Sequence, residues 1–199
     1  MLKKLITVIS LTTLYSIIRY LINGPVSINN LPVFILNKSV AMASVLFLTF
    51  SIFNYLKNDD RKKQFWGTVM FHSVCIHILL SSLILSKAYY PKFFGPEKMN
   101  LTGELVLLFG VLAAYFFTIT KQKQSQLVTK RRLQIFALLF LSAHLVSMDI
   151  SGWIHVSKWN GGFPPISLIS FIFSLSSIFL LLIPHKIMRI PPRLKSGSV

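Results

Sequence analysis

Charge is what this sequence has least of. Only 13% of its 199 residues are charged, against about 25% in a soluble domain. It contains a single cysteine, Cys75, inside an apolar run, which excludes a disulfide framework and leaves the redox compartment unread. A buried thiol there acts as a small hydrophobe. No G-x-G-x-x-G or P-loop pattern occurs, and no loop is long enough to fold a nucleotide-binding unit. Internal repeats and a soluble domain are missing as well. Any chemistry is therefore expected inside the membrane or through a partner.

What is present is hydrophobic: 53% of residues, with mean hydropathy +0.65. Long apolar stretches recur from end to end, and runs of roughly 18 or more read as transmembrane helices. The expected fold is all-α, a six-transmembrane-helix bundle forming one domain in a lipid bilayer. Apolar runs and their breakers place the helices at about residues 5–21, 32–56, 63–85, 101–120, 131–151 and 164–183, with residues 184–199 as a basic cytoplasmic tail. The opening MLKKLITVISLTTLYSIIRYLING has the basic start of a signal peptide, but its apolar run is long and no A-x-A-like site follows. It reads as the first membrane helix. The segment NLTGE looks like the N-terminus of the fourth helix, with an early acid, and Pro164-Pro165 suits the first turn of the sixth.

The net charge of +16 would point a soluble protein toward nucleic acid. Here the basic residues lie between the apolar runs, which is a topology pattern and predicts no nucleic-acid partner. Lys3, Lys4, KNDDRKK, KQKQSQLVTKRR and the tail from His185 hold fifteen of the 21 Lys and Arg. The other side keeps Arg19, Lys38, Lys87, Lys92, Lys98 and Lys158. Both termini are thus expected on the cytoplasmic side, as an even number of spans requires.

Histidines interrupt this apolar pattern at His72, His77, His144 and His155, while His185 falls in the basic tail. His77 lies 14 residues into its span, roughly 21 Å from the cytoplasmic end. His144 lies 13 residues into its own, roughly 19–20 Å. The two match in depth, on the outer half. His72 is turned by roughly 140° from His77, so the two cannot face one neighbour. His155 lies past the outer end of the fifth span. Two neutral imidazoles facing each other across a bundle are the usual axial pair of a b-type haem. Equally, such histidines serve as interhelical hydrogen-bonding groups that bind nothing. Lys38 lies near the same depth, placed to meet haem propionates, to snorkel to the outer headgroups, or to pair with Glu104 or Asp149. Asp149 itself points away from the face of His144 and reads as a structural partner.

These stretches resemble a known family. WGTVMFHSVCIHILLSSLIL is similar to the third helix of the ferric reductase-like transmembrane domain. Arg61 to Lys63, Gly67 and His77 stand at its basic start, its glycine and its haem histidine, followed by the H-x-L-L-S pattern. YYPKFFGPEKMNLTGELVLLFGVLA resembles the outer loop and fourth helix. KRRLQIFALLFLSAHLVSM resembles the fifth, with His144 at the haem position, and LPVFILNKSVAMASVLFL matches the second more loosely. The resemblance covers roughly residues 32–151.

It implies a membrane electron-transfer subunit, similar to the haem subunit of the bacterial methionine sulfoxide reductase system, in a bacterial inner membrane. One haem b would sit in the outer half between His77 and His144, with His72 and His155 as secondary candidates. Two-haem members carry a second histidine about 13 residues from the first on each helix. Here those places hold Gln64 and Arg131, so the inner pair is missing. Electrons would then come from quinol or a separate reductase and leave to an outer partner protein. The loops SKAYYPKFFGPEKMN and HVSKWNGGFPP are the expected docking surface, or an interfacial aromatic belt. The competing expectation is a non-redox accessory or assembly protein of the same architecture.

Overall fold

Each long apolar run forms a helix because hydrocarbon offers the backbone no hydrogen-bond partners, so N–H and C=O groups must be satisfied within the segment. The computed structural model describes residues 1–25, 31–121 and 127–183. His185 and the tail at 184–199 lie outside the described residues. Six helices follow one another: α1 (Leu2–Ser16), α2 (Leu31–Leu56), α3 (Asp60–Ile84), α4 (Leu101–Thr120), α5 (Leu127–Ile154) and α6 (Ile166–Leu182). α1 runs on through a π-helical segment, Ile17–Ile22. All six spans are long and apolar enough to cross a membrane. Large apolar side chains such as Leu79, Leu83, Val111 and Phe179 are exposed on the outside of the bundle, where lipid solvates them. The protein is an all-α, integral, multi-pass membrane protein.

The helix ends differ in detail from the sequence expectation, for local reasons. α3 begins at Asp60 because the Asp59 side chain accepts the Lys62 N–H at 3.0 Å, capping an otherwise unpaired donor. The same Lys62 contact holds the Asp59 carboxyl below its usual range. Asn100 caps α4 through the Gly103 N–H at 3.0 Å. α6 opens at Ile166 with Pro165 as its N-cap, so the Pro-Pro pair precedes the helix instead of forming its first turn. α5 is longer than its apolar run and is interrupted at Asp149, whose backbone is extended (φ −165°).

α2 is the hub. It packs along α3 on one side and α6 on the other, with α1 against it, while α5 packs along α4 and α6. Close α2–α3 approach is built in at Gly67, where an added Cβ would stand 3.2 Å from the Ser51 hydroxyl. That hydroxyl donates to the Lys63 carbonyl at 3.0 Å. α6 joins the two groups through a buried serine stripe, Ser170, Ser174 and Ser177. Ser174 bonds Ser142 of α5 at 3.0 Å and Ser177 bonds Thr49 of α2 at 3.0 Å. Small hydroxyl residues suit this seam because they allow helix backbones to approach and still bond across.

The apolar core falls into two layers. The larger one, toward the basic end, gathers Phe47, Ile52, Trp66, Met70, Phe117, Ala137, Leu138 and Leu181, with Phe47 stacked on Trp66 at 5.6 Å. The smaller one, toward the other end, is Phe34, Ile35 and Ile84 with Tyr20 and Tyr90 against it. At that end the π-helical segment is pinned to the loop before α6. Tyr15 donates to the Pro164 carbonyl at 2.6 Å, and the buried Arg19 donates to the Phe163 carbonyl.

The serine seam yields a test. Ser174→Ala should cost about 0.6 kcal/mol, the average for such interhelical bonds. Ser174→Leu should cost about 1–3 kcal/mol by overpacking. Thermal unfolding of the detergent-solubilised protein, followed by circular dichroism, reads the difference. Equal midpoints for the two variants would contradict the close α5–α6 approach.

Candidate functional site

Between the two apolar layers lies a polar one. On α2 the core passes from Phe34 and Ile35 to Ala43 and Phe47 with Asn37 and Ser39 buried between them. On α3 it passes from Met70 to Ile84, and His77 lies between. His77 lies 17 residues after the start of α3 at Asp60, about 25 Å of helix rise, and each histidine stands level with its partner on a neighbouring helix, Asn37 on α2 and Val106 on α4.

Each ring is held by a neighbouring helix. His77 Nδ1 lies 2.6 Å from Oδ1 of Asn37 on α2. The Ser81 hydroxyl, one turn on, donates to the same Oδ1 at 3.2 Å and lies 3.4 Å from the ring nitrogen. Because Asn37 Oδ1 is an acceptor, His77 Nδ1 carries the proton and donates it. His144 Nδ1 donates to the Val106 carbonyl of α4 at 2.8 Å. That carbonyl, inside a helix, accepts a second bond because Gly110 makes room: a Cβ there would stand 3.0 Å from His144 Nδ1. In both rings the proton is thus fixed on Nδ1, which leaves Nε2 with a free lone pair.

α3 and α5, which carry the pair, make few close backbone approaches to each other, and α3 makes equally few to α4. The helices that hold the rings in place are α2 and α4, one behind each ring. His77, His144 and Lys38 nonetheless lie within electrostatic reach of one another. Both imidazoles remain partly accessible. Lys38 Nζ sits 5.2 Å from the Phe34 ring and 5.0 Å from the Tyr90 ring. Tyr20 meets Phe34 edge-on at 5.6 Å, and the Arg19 guanidinium lies over Tyr20. An aromatic and cationic rim therefore borders the histidine layer on the side away from the basic end. Lys38 does not take Asp149 as its ion partner; Asp149 pairs with Lys92 at 2.9 Å, the structural role expected of that carboxylate.

The other two candidates are placed differently. His72 is exposed and bonds the Thr68 carbonyl of its own helix at 2.9 Å. His155 is exposed beyond the end of α5 and bonds the Ser151 carbonyl at 2.8 Å. Neither is tied to another helix. At the places where a second histidine pair would stand, Gln64 is exposed and Arg131 donates to the Leu181 and Ile183 carbonyls, closing the C-terminal end of α6. Cys75 is exposed on the outside of the bundle, not buried as expected.

Asn37 and Gly110 were not singled out from the sequence, and Ser81 entered only as the last residue of the H-x-L-L-S pattern. An Asn in the apolar run FILNKSVAMASV was the available sign, since an amide in a membrane helix requires an internal partner. Among the described residues no three His, Cys, Asp or Glu side chains converge. Two imidazole lone pairs suit a metal that arrives with its remaining ligands, as a porphyrin supplies four nitrogens. No known family model matches this chain, and no curated protein does.

The tautomers can be read directly. ¹⁵N NMR of histidine-labelled protein should show Nε2 of His77 and His144 unprotonated. Asn37→Leu should release that restriction at His77 alone, and Gly110→Ala should disturb His144 alone. A protonated Nε2 on either ring of the unmodified protein contradicts the geometry.

Proposed function

We propose that the protein is a haem b-binding membrane electron-transfer subunit of a ferric reductase-like system. The observation that carries this reading is the matched pair of imidazoles, each with Nδ1 engaged by a second helix. Histidines that ligate metals almost always donate their other ring N–H in this way, which fixes the tautomer and raises ligand basicity. The residues present fit the group: two lone pairs at one depth, on helices that are not packed against each other, with a cationic rim to one side.

In this reading His77 and His144 would hold the haem iron through their Nε2 lone pairs, and haem, when bound, would supply a one-electron couple. Asn37 and Ser81 orient His77, and the Val106 carbonyl orients His144. Gly110 keeps the space the second ring needs. Lys38, screened between Phe34 and Tyr90, is the cation for a propionate. The H-x-L-L-S pattern of the resemblance thus acquires a physical meaning, because its serine is the hydroxyl that bonds both Asn37 and His77. With no histidine at Gln64 or Arg131 to hold a second group, a single site in the half away from the basic end is the form proposed. Electrons would enter from quinol or a separate reductase and pass to an acceptor at the outer face. That assignment of faces takes the basic end as cytoplasmic, as the charge distribution supports, and the membrane as the bacterial inner one, as the resemblance implies.

A second reading rests on the same hydrogen bonds. Interhelical bonds of this kind are polar staples in their own right, and a non-redox accessory or assembly protein would need nothing further from them.

Reduced-minus-oxidised visible spectra of detergent-purified protein, expressed with haem precursor, separate the two. The proposal expects a Soret band with sharp α and β bands, abolished in both His77→Ala and His144→Ala and retained in His72→Ala and His155→Ala. Asn37→Leu should weaken haem retention roughly ten- to a hundred-fold. A preparation that folds and takes up no haem selects the accessory reading.

A further inference from the structure

The basic end of the bundle holds a cavity that neither the histidine layer nor the apolar core accounts for. It lies where the end of α2 meets the starts of α3 and α5, and its volume is about 70 Å³. One water needs roughly 10–15 Å³ on this measure, so the space admits a tetrahedral oxyanion. Its lining includes three cations, Lys63, Lys130 and Arg131, beside Ser51, Tyr55 and Gln134, and among the described residues no carboxylate lines it.

The three cations are held to different degrees. The Arg131 guanidinium is fixed by the Leu181 carbonyl at 2.7 Å and by the Ile183 carbonyl, bonds that orient it without neutralising it. Lys63 shares the carboxylate of Asp60 at 3.1 Å, and that carboxylate is almost wholly exposed, so the pairing is weak. Lys130 has no ion pair among the described residues and is half-buried at the cavity. Three cations gathered in a partly enclosed space, with only the exposed Asp60 carboxylate against them among the described residues, leave a net positive demand that an anion meets.

We propose that this cavity is a phosphoryl-binding site, filled by the headgroup of an anionic phospholipid from the adjoining leaflet. Its position at helix ends is the depth of lipid phosphates, and basic pockets between transmembrane helices recognise such headgroups. That depth favours a lipid over free phosphate, because the ends of membrane-spanning helices stand among headgroups. The site makes no use of haem, so its test is independent of that reading.

Native mass spectrometry of the full-length protein in detergent, titrated with phosphatidylglycerol, phosphatidylcholine of the same chains, and inorganic phosphate, tests this directly. The expected result is one preferentially retained phosphatidylglycerol that inorganic phosphate does not displace. Lys130→Gln should lower its affinity roughly five-fold, Lys63→Gln similarly, and Lys130→Arg should preserve it. Lys57→Gln, at the same end but outside the cavity, should change nothing. If inorganic phosphate binds in a Lys130-dependent way and phosphatidylglycerol has no advantage, the phosphoryl site stands and its occupant is soluble. Equal retention of the two lipids with no phosphate binding overturns the proposal, as does a phosphatidylglycerol preference that ignores Lys130 and Lys63.

Discussion

A polar side chain inside a bilayer has to find its partner on another helix, because neither water nor lipid will supply one. In this protein that requirement falls on Asn37, His77 and His144. Asn37 is almost completely buried and is met by the His77 ring and the Ser81 hydroxyl together. The bond ties α3 to α2 at one level and sets the rotation of both. A second bond, from His144 to the Val106 carbonyl, ties α5 to α4. The bundle is thereby divided into α2 with α3 and α4 with α5, and the serine stripe of α6 joins the halves from behind.

That division explains why the core is split. Phe47 and Trp66 fill the basic half, Phe34 and Ile84 the other, and the helices that carry the histidines do not close on each other between them. A bundle optimised only for packing would place apolar side chains at this level. Retaining two imidazoles with their Nδ1 protons committed costs packing and returns two oriented lone pairs. The haem reading gives those lone pairs a use, and the phosphoryl site at the basic end gives one to the uncompensated charge of Lys130.

Much of this was legible from the sequence. Six spans, their order and the all-α class follow from apolar length, since roughly 20 residues are needed to cross and little else produces such runs. The matching positions of His77 and His144 within their apolar runs were also legible, because helical rise is constant. The N-terminus of α4 was visible in NLTGE. Other features were not. Pro164-Pro165 suits a first turn by sequence, yet α6 begins at Ile166 with Pro165 as its N-cap. Cys75 in an apolar run looked buried, yet in a membrane an apolar run has an outer face as hydrophobic as its inner one.

Sequence alone determined what kind of solvent this chain lives in, how many times it crosses, and that imidazoles at one level needed an explanation. Those properties depend on composition and on distance along the helix, which a linear pattern carries. Tertiary structure decided which side chain answers which ring. Asn37 is 40 residues from His77, and Val106 is 38 from His144, separations at which no periodicity constrains rotation about the helix axis. Only packing sets that rotation. It turned His72 outward, brought Asn37 to His77, and left a glycine rather than a side chain beside His144.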